Sequence, residues 1–129
     1  MKVLVCGGRD YSDRATLFAA LDRVHAKRGI ELIIHGAARG ADTLAAEWAN
    51  ARSIPSHPFP ALWDVDGKAA GFIRNQRMLD CGKPGGLVAF PGGRGTADMV
   101  NRARSVGVPV WQPCGQSTAM RTPARRLNP

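Results

Sequence analysis

Five short apolar runs punctuate the chain, each separated from the next by an amphipathic or alanine-rich stretch. "KVLVC" (2–6), "ELIIH" (31–35) and "GLVAF" (86–90) are apolar on consecutive positions. That is the pattern of strands covered on both faces of a parallel sheet. "IPSHPF" (54–59) holds two prolines and predicts a short edge strand, and "PVWQ" (109–112) predicts a last short strand. Ser12 is the expected cap of a helix to about Arg28, with Leu17, Leu21 and Val24 on one face and Gly29 as its stop. A second helix is expected over Asp42–Arg52, carrying Leu44, Ala45 and Trp48, and a third over Ala70–Cys81, with Ile73 and Met78 on its apolar side. Residues 60–69 read as a loop holding Trp63. Thr96 is the expected N-cap of a fourth helix, with Asp98 on its first turn and Gly107 as its stop.

Strands alternating with helices predict one α/β three-layer sandwich around a mostly parallel five-stranded sheet, over residues 1–112. Residues 113–129, with Arg121, Arg125 and Arg126 and no acid, read as a basic, flexible tail. Three strands run into glycine-bearing loops that enter helices: "CGGRDYSD", "HGAARGAD" and "FPGGRGTAD". Strand-to-helix turns of a parallel sheet share its carboxyl edge. With strand order 3-2-1-4-5 the first and fourth strands flank the reversal of winding, where such sheets bind ligands. All three loops then line one crevice.

The 129 residues carry a net charge of +8. A basic chain attracts anions. The cations do not form one stripe: Arg9, Arg39, Arg74 and Arg94 each lie in or beside a glycine-rich or turn-like stretch, which suits a small phosphorylated ligand. Nucleic acid is less favoured, because the 4 Phe, 3 Trp and 1 Tyr are not interleaved with the basic residues as a stacking platform requires. No apolar run approaches the ~20 residues of a membrane span, and the N-terminus lacks the form of a signal peptide. A cytoplasmic protein with no membrane partner is expected. Cys6, Cys81 and Cys114 form no CxxC or Cys/His cluster. That argues against disulfides and a zinc site and predicts three buried, apolar thiols. No metal and no cofactor are expected.

Glycine lets backbone N–H groups approach a phosphate, and a helix N-terminus favours negative charge. The candidate ligand-binding residues are Gly7, Gly8, Arg9 and Asp10 in the first loop, and Gly36, Arg39, Gly40 and Asp42 in the second. Gly92, Gly93, Arg94, Gly95 and Thr96 in the third loop join them, with Arg74 and Asn75 from "AGFIRNQRML". Asp10 either pairs with Arg9 or meets a sugar hydroxyl. Asp42 is a helix cap or a ligand contact, and Asp98 reads as helix-end charge. His35 reads as structural, and His25 and His57 as uninvolved. Trp63 either stacks on a base or covers the core. No loop matches G-x-x-x-x-G-K-[ST] or G-x-G-x-x-G, which excludes an ordinary triphosphatase or NAD dehydrogenase.

"PGGRGT" resembles the PGGxGT signature of the SLOG superfamily, which holds the Lonely Guy phosphoribohydrolases, the Smf/DprA DNA-processing proteins and nucleotide-sensing SLOG domains. "RNQRM" is similar to the R-K-x-x-M pattern of Lonely Guy enzymes. "VCGGRDYSD", "HGAARGADTLAAEWA" and "AGFIRNQRML" together resemble the YspA, or YpsA-related, branch. The resemblance implies a Rossmann-like fold, a pocket for a nucleotide or nucleotide-derived, ADP-ribose-like ligand, and a homodimer. The alanine-rich helix 42–52 offers a close-packing surface for that dimer. Lonely Guy enzymes cleave the N-glycosidic bond of nucleoside 5'-monophosphates with the motif's arginine, matched by Arg74, and with the glutamate of PGGxGTxxE, whose position is Met99 here. The expected function is therefore ligand binding, as a sensor or a sequestering protein. The alternatives are a nucleoside monophosphate glycosidase with a relocated acid, Asp10 or Asp42, and a Smf/DprA-like single-strand DNA binder.

Overall fold

A computed structural model describes residues 1–115; the predicted tail from residue 116 onward lies outside the described residues. The apolar runs become β1 (Lys2–Cys6), β2 (Leu32–His35), β3 (Ser56–Pro58), β4 (Gly86–Ala89) and β5 (Val110–Trp111). All neighbouring pairs are parallel, in the order β3-β2-β1-β4-β5. The proline-bearing strand is at an edge, where a missing N–H costs no ladder bond.

The helices are α1 (Arg14–Arg28), α2 (Ala41–Ala51), α3 (Trp63–Asp66), α4 (Ala70–Gly82) and α5 (Arg94–Ser105). One core lies between the sheet and α1 and α2, with Val3, Val5, Leu17, Leu21, Ile33 and Trp48 fully buried. The other lies beneath α4 and α5, around Leu4, Ile34, Met78, Leu87 and Met99. Three layers result, as predicted.

Several local expectations are corrected. Asp13, not Ser12, caps α1: one carboxylate oxygen accepts from the Thr16 N–H at 3.1 Å and the other from its hydroxyl at 2.7 Å. Those two bonds hold the Asp13 carboxyl below the usual range. Gly93, not Thr96, is the N-cap of α5, and Thr96, one turn inside, is buried. Residues 60–69 are not all loop, since α3 and a 3-10 turn (Gly67–Ala69) occupy most of the stretch. Ile73 stands in solvent; α4 turns Ala70, Asn75, Met78 and Leu79 inward instead. Cys6 is buried as expected, but Cys81 and Cys114 are exposed. On α2 the alanines Ala41, Ala45 and Ala49 pack inward.

Candidate functional site

The three glycine loops meet at the carboxyl edge between β1 and β4. Their junction is the backbone of Gly8. Its N–H donates to the Pro91 carbonyl at 2.9 Å, while its carbonyl accepts from the Tyr11 and Ala41 N–H groups, each at 3.2 Å. Only glycine fits two neighbouring positions. Gly40 has φ of 81°, and a Cβ there would lie 2.6 Å from the Arg9 carbonyl carbon and oxygen. A Cβ on Gly92 would lie 2.6 Å from the Gly8 nitrogen and press on the Thr96 hydroxyl. Ala37, at φ of 58°, carries the left-handed strain of the second loop.

Above this junction opens a cavity of about 380 Å³. Gly7, Gly8 and Arg9 line it from the first loop, Asp42 from the second, Gly93, Gly95 and Thr96 from the third, and Arg74 and Asn75 from α4. The remaining candidates lie around it. Gly36 and Arg39 face an adjoining cavity that shares Arg9, Trp63 and Arg74, and Gly92 and Arg94 face another on the far side of the third loop. Gly40 is spent on the loop junction. Asp10 is turned outward, on an exposed ion pair with Arg39 at 3.2 Å.

The cavity wall is built by a polar chain. The Arg74 guanidinium donates to the Gly36 carbonyl at 2.5 Å and, through Nε, to Asn75 Oδ1 at 3.0 Å. Buried Asn75 donates to the Gly95 carbonyl and to Asp98 Oδ2, both at 3.1 Å. Asp98 also accepts from Arg102 at 2.7 Å. Asp98 is thus more than helix-end charge: it anchors the asparagine that ties Arg74 to the third loop. The start of α5 has no side-chain cap, so its first-turn amides have no acceptor inside the helix. Positions 93 and 95 are open, and a Cβ on either would meet nothing within 4 Å.

Asp42 is the one carboxylate lining this cavity among the described residues. Burial pushes its carboxyl up to about 6, against the N–H groups of Ala38 and Gly36 and the charges of Arg74 and Arg9, all of which act to lower it. The Ala38 N–H donates to Asp42 Oδ2 at 3.2 Å. Burial also lowers the Arg74 guanidinium, with Asp42 opposing. Burial, aided by Asp42, holds the Cys6 thiol protonated. His35 is structural here. Its Nδ1 accepts from the Ala37 N–H at 3.0 Å, and burial lowers it from its ordinary value. His25 accepts from the Ile30 N–H, and His57 stacks on Phe59.

Sequence reasoning missed Lys68, Gly71, Phe72 and Met78, which also line the cavity. For Phe72 the available signal was its place two residues before Arg74 in "AGFIRN". Met99 does not line the cavity; it is buried in the core beneath it, beside Cys6 and Met78. Among the described residues no cluster of three His, Cys, Asp or Glu side chains could hold a metal, and no helix is long and apolar enough to cross a membrane.

Fold and site together define a doubly wound α/β protein with a cationic, glycine-lined cavity where the winding reverses. The chain belongs to the YspA, cpYpsA-related SLOG family, whose model matches residues 1–65. It is 38% identical over 117 residues to the Gene 61 protein of Mycobacterium phage D29, an alignment covering 84% of this chain and 93% of that one. Its fold is similar to that in the X-ray structure of TM1055, with a TM-score of 0.63 and 22% identity over 85% of this chain and 72% of that one.

Proposed function

We propose that this chain binds a nucleotide or nucleotide-derived, phosphorylated ligand in the cavity at the carboxyl edge of the sheet, as a sensor or a sequestering protein. One observation carries the reading. The uncapped start of α5 and two open glycine positions border the same cavity as Arg74 and Arg9. Amide donors, helix dipole and guanidinium groups then converge on one phosphate. Family membership supports a nucleotide-related ligand.

Gly93→Val tests this, because Gly93 lines the cavity and a Cβ there would meet nothing within 4 Å. Titration calorimetry with adenosine 5'-monophosphate is expected to detect binding to the wild type and none to Gly93→Val, whose cooperative thermal transition, lowered by the loss of the glycine N-cap, shows that it remains folded. Equal affinity for both would refute the reading.

A second reading is supported by Asp42. A nucleoside monophosphate glycosidase needs a carboxylate near the ribose as charge builds in the transition state. Met99 supplies none, and Asp10 lies outside the cavity. Asp42, held near pH 6 beside Arg74, is the group suited to that task. Release of free base by the wild type, abolished in Asp42→Asn without loss of binding, would establish catalysis. A homodimer remains part of the proposal on family resemblance alone.

A further inference from the structure

One stretch of the surface is more apolar than its surroundings. Among the described residues six large apolar side chains are exposed, and five of them, Leu62, Trp63, Val65, Phe72 and Ile73, fall within residues 62–73. They adjoin in space. α3 packs against α4, and a Cβ on Gly71 would stand 3.7 Å from the Trp63 ring. Core packing does not account for them, since α3 buries none of its residues and Val65 is 77% exposed. Beyond Phe72 and Ile73 the surface continues as a groove of about 600 Å³ along α4, past Arg77 and Asp80. A contiguous exposed apolar face marks a surface that meets another molecule.

Charge selects that molecule. Residues 62–81 hold Asp64, Asp66 and Asp80 against Lys68, Arg74 and Arg77, so they carry no net charge and the rest of the chain holds the whole +8. The cationic remainder repels a second copy, and this face does not. Its two signs are also separated: Asp64 and Asp66 lie on α3, and Arg77 lies one turn beyond Ile73 on α4. A two-fold axis through the apolar residues brings the acids of each copy toward the arginine of the other, the self-complementary pattern of an isologous contact. The same acids make an anionic lipid surface an unsuitable occupant. Trp63, Lys68 and Phe72 line the cavity as well, so whatever covers the patch also closes a flank of the site. We propose that residues 62–73 are the contact face for a second copy of this chain, and that each copy walls the open side of the other's cavity. This rests on the homodimer reading above and adds the face and its link to the site.

Light scattering on the full chain over a concentration series tests the face. The wild type is expected to be a dimer. Val65→Glu and Ile73→Glu each place a charge in the contact and should weaken the dimer at least about thirtyfold. Val106→Glu, also exposed but at the end of α5, should leave it within about twofold. All three positions are exposed, so the fold should persist, and a cooperative thermal transition checks this. Iodide quenching of Trp63 should rise in both patch variants as the cavity flank opens. A wild-type dimer that both patch variants preserve at equal strength overturns the face while the homodimer stands. Dissociation without a rise in quenching overturns the link to the cavity. A wild type that stays monomeric overturns the face and the homodimer together. None of these results touches the phosphate reading, which calorimetry tests separately.

Discussion

Asp42→Asn should make the ligand-free protein progressively more stable than the wild type as pH rises. The Asp42 carboxyl is 7% exposed, and its pKa rises from 3.8 to about 6 on folding. Between those values the folded state binds the extra proton, so the unfolded chain ionises first and stability is lost with rising pH. Below about pH 3.8 the two states bind protons alike and no cost arises. Above about pH 6 the cost is complete. That rise converts to about 3 kcal/mol, of which about 2 kcal/mol develops between pH 4.5 and 7. Urea unfolding of wild type and Asp42→Asn across that window isolates the term, because every other titrating group is shared. The stability difference should widen by about 2 kcal/mol in favour of the asparagine variant. A difference that stays constant, or that turns toward the wild type, would mean that Arg74 and the loop amides outweigh burial and that Asp42 is an ordinary ion-pair residue.

Other consequences follow from the same site. Asn75→Ala removes a buried side chain with three hydrogen-bond partners, two of them charged, and should lower unfolding free energy by about 3 kcal/mol in urea titration. Gly92→Ala forces a Cβ against Gly8 and Thr96 and should destabilise by at least about 2 kcal/mol, whereas Gly95→Ala, with open space, should stay within about 1 kcal/mol by the same assay. Met99→Glu places a carboxylate in the core beneath the cavity and should cost about 3 kcal/mol or more without creating base release, checked by denaturation and chromatography. Light scattering at high concentration should give a dimer mass, and a monomer mass would refute the homodimer.

The sheet was legible because its strands are consecutive apolar runs ended by glycine, and parallel crossovers leave few orders open. The meeting of the three loops followed from that order. Local detail was less accessible. α3 is four residues long, too short to show a helical period. The cap of α5 is a glycine among glycines, so the eye falls on Thr96, whose hydroxyl instead lies against Gly92. Asp10 and Asp42 read alike, each near an arginine and glycine. They are separated by burial, because α2 carries the second one inward while the first stays in an exposed loop. Asn75 was legible as a candidate contact but not as an anchor of the third loop, since its partners Gly95 and Asp98 are 20 and 23 residues away.

The backbone of Gly8 holds stretches of chain that begin near residues 8, 41 and 91. Its bonds are made by backbone atoms, so the letters of those stretches can drift while their shapes stay tied. A change that turns the backbone of Gly8 resets what the other two stretches tolerate. Mutational effects at Gly40 and Gly92 should therefore be non-additive, although 52 positions separate them. Lineages that alter one loop would accept the matching change in another only in a particular order, a historical constraint that no single substitution reveals.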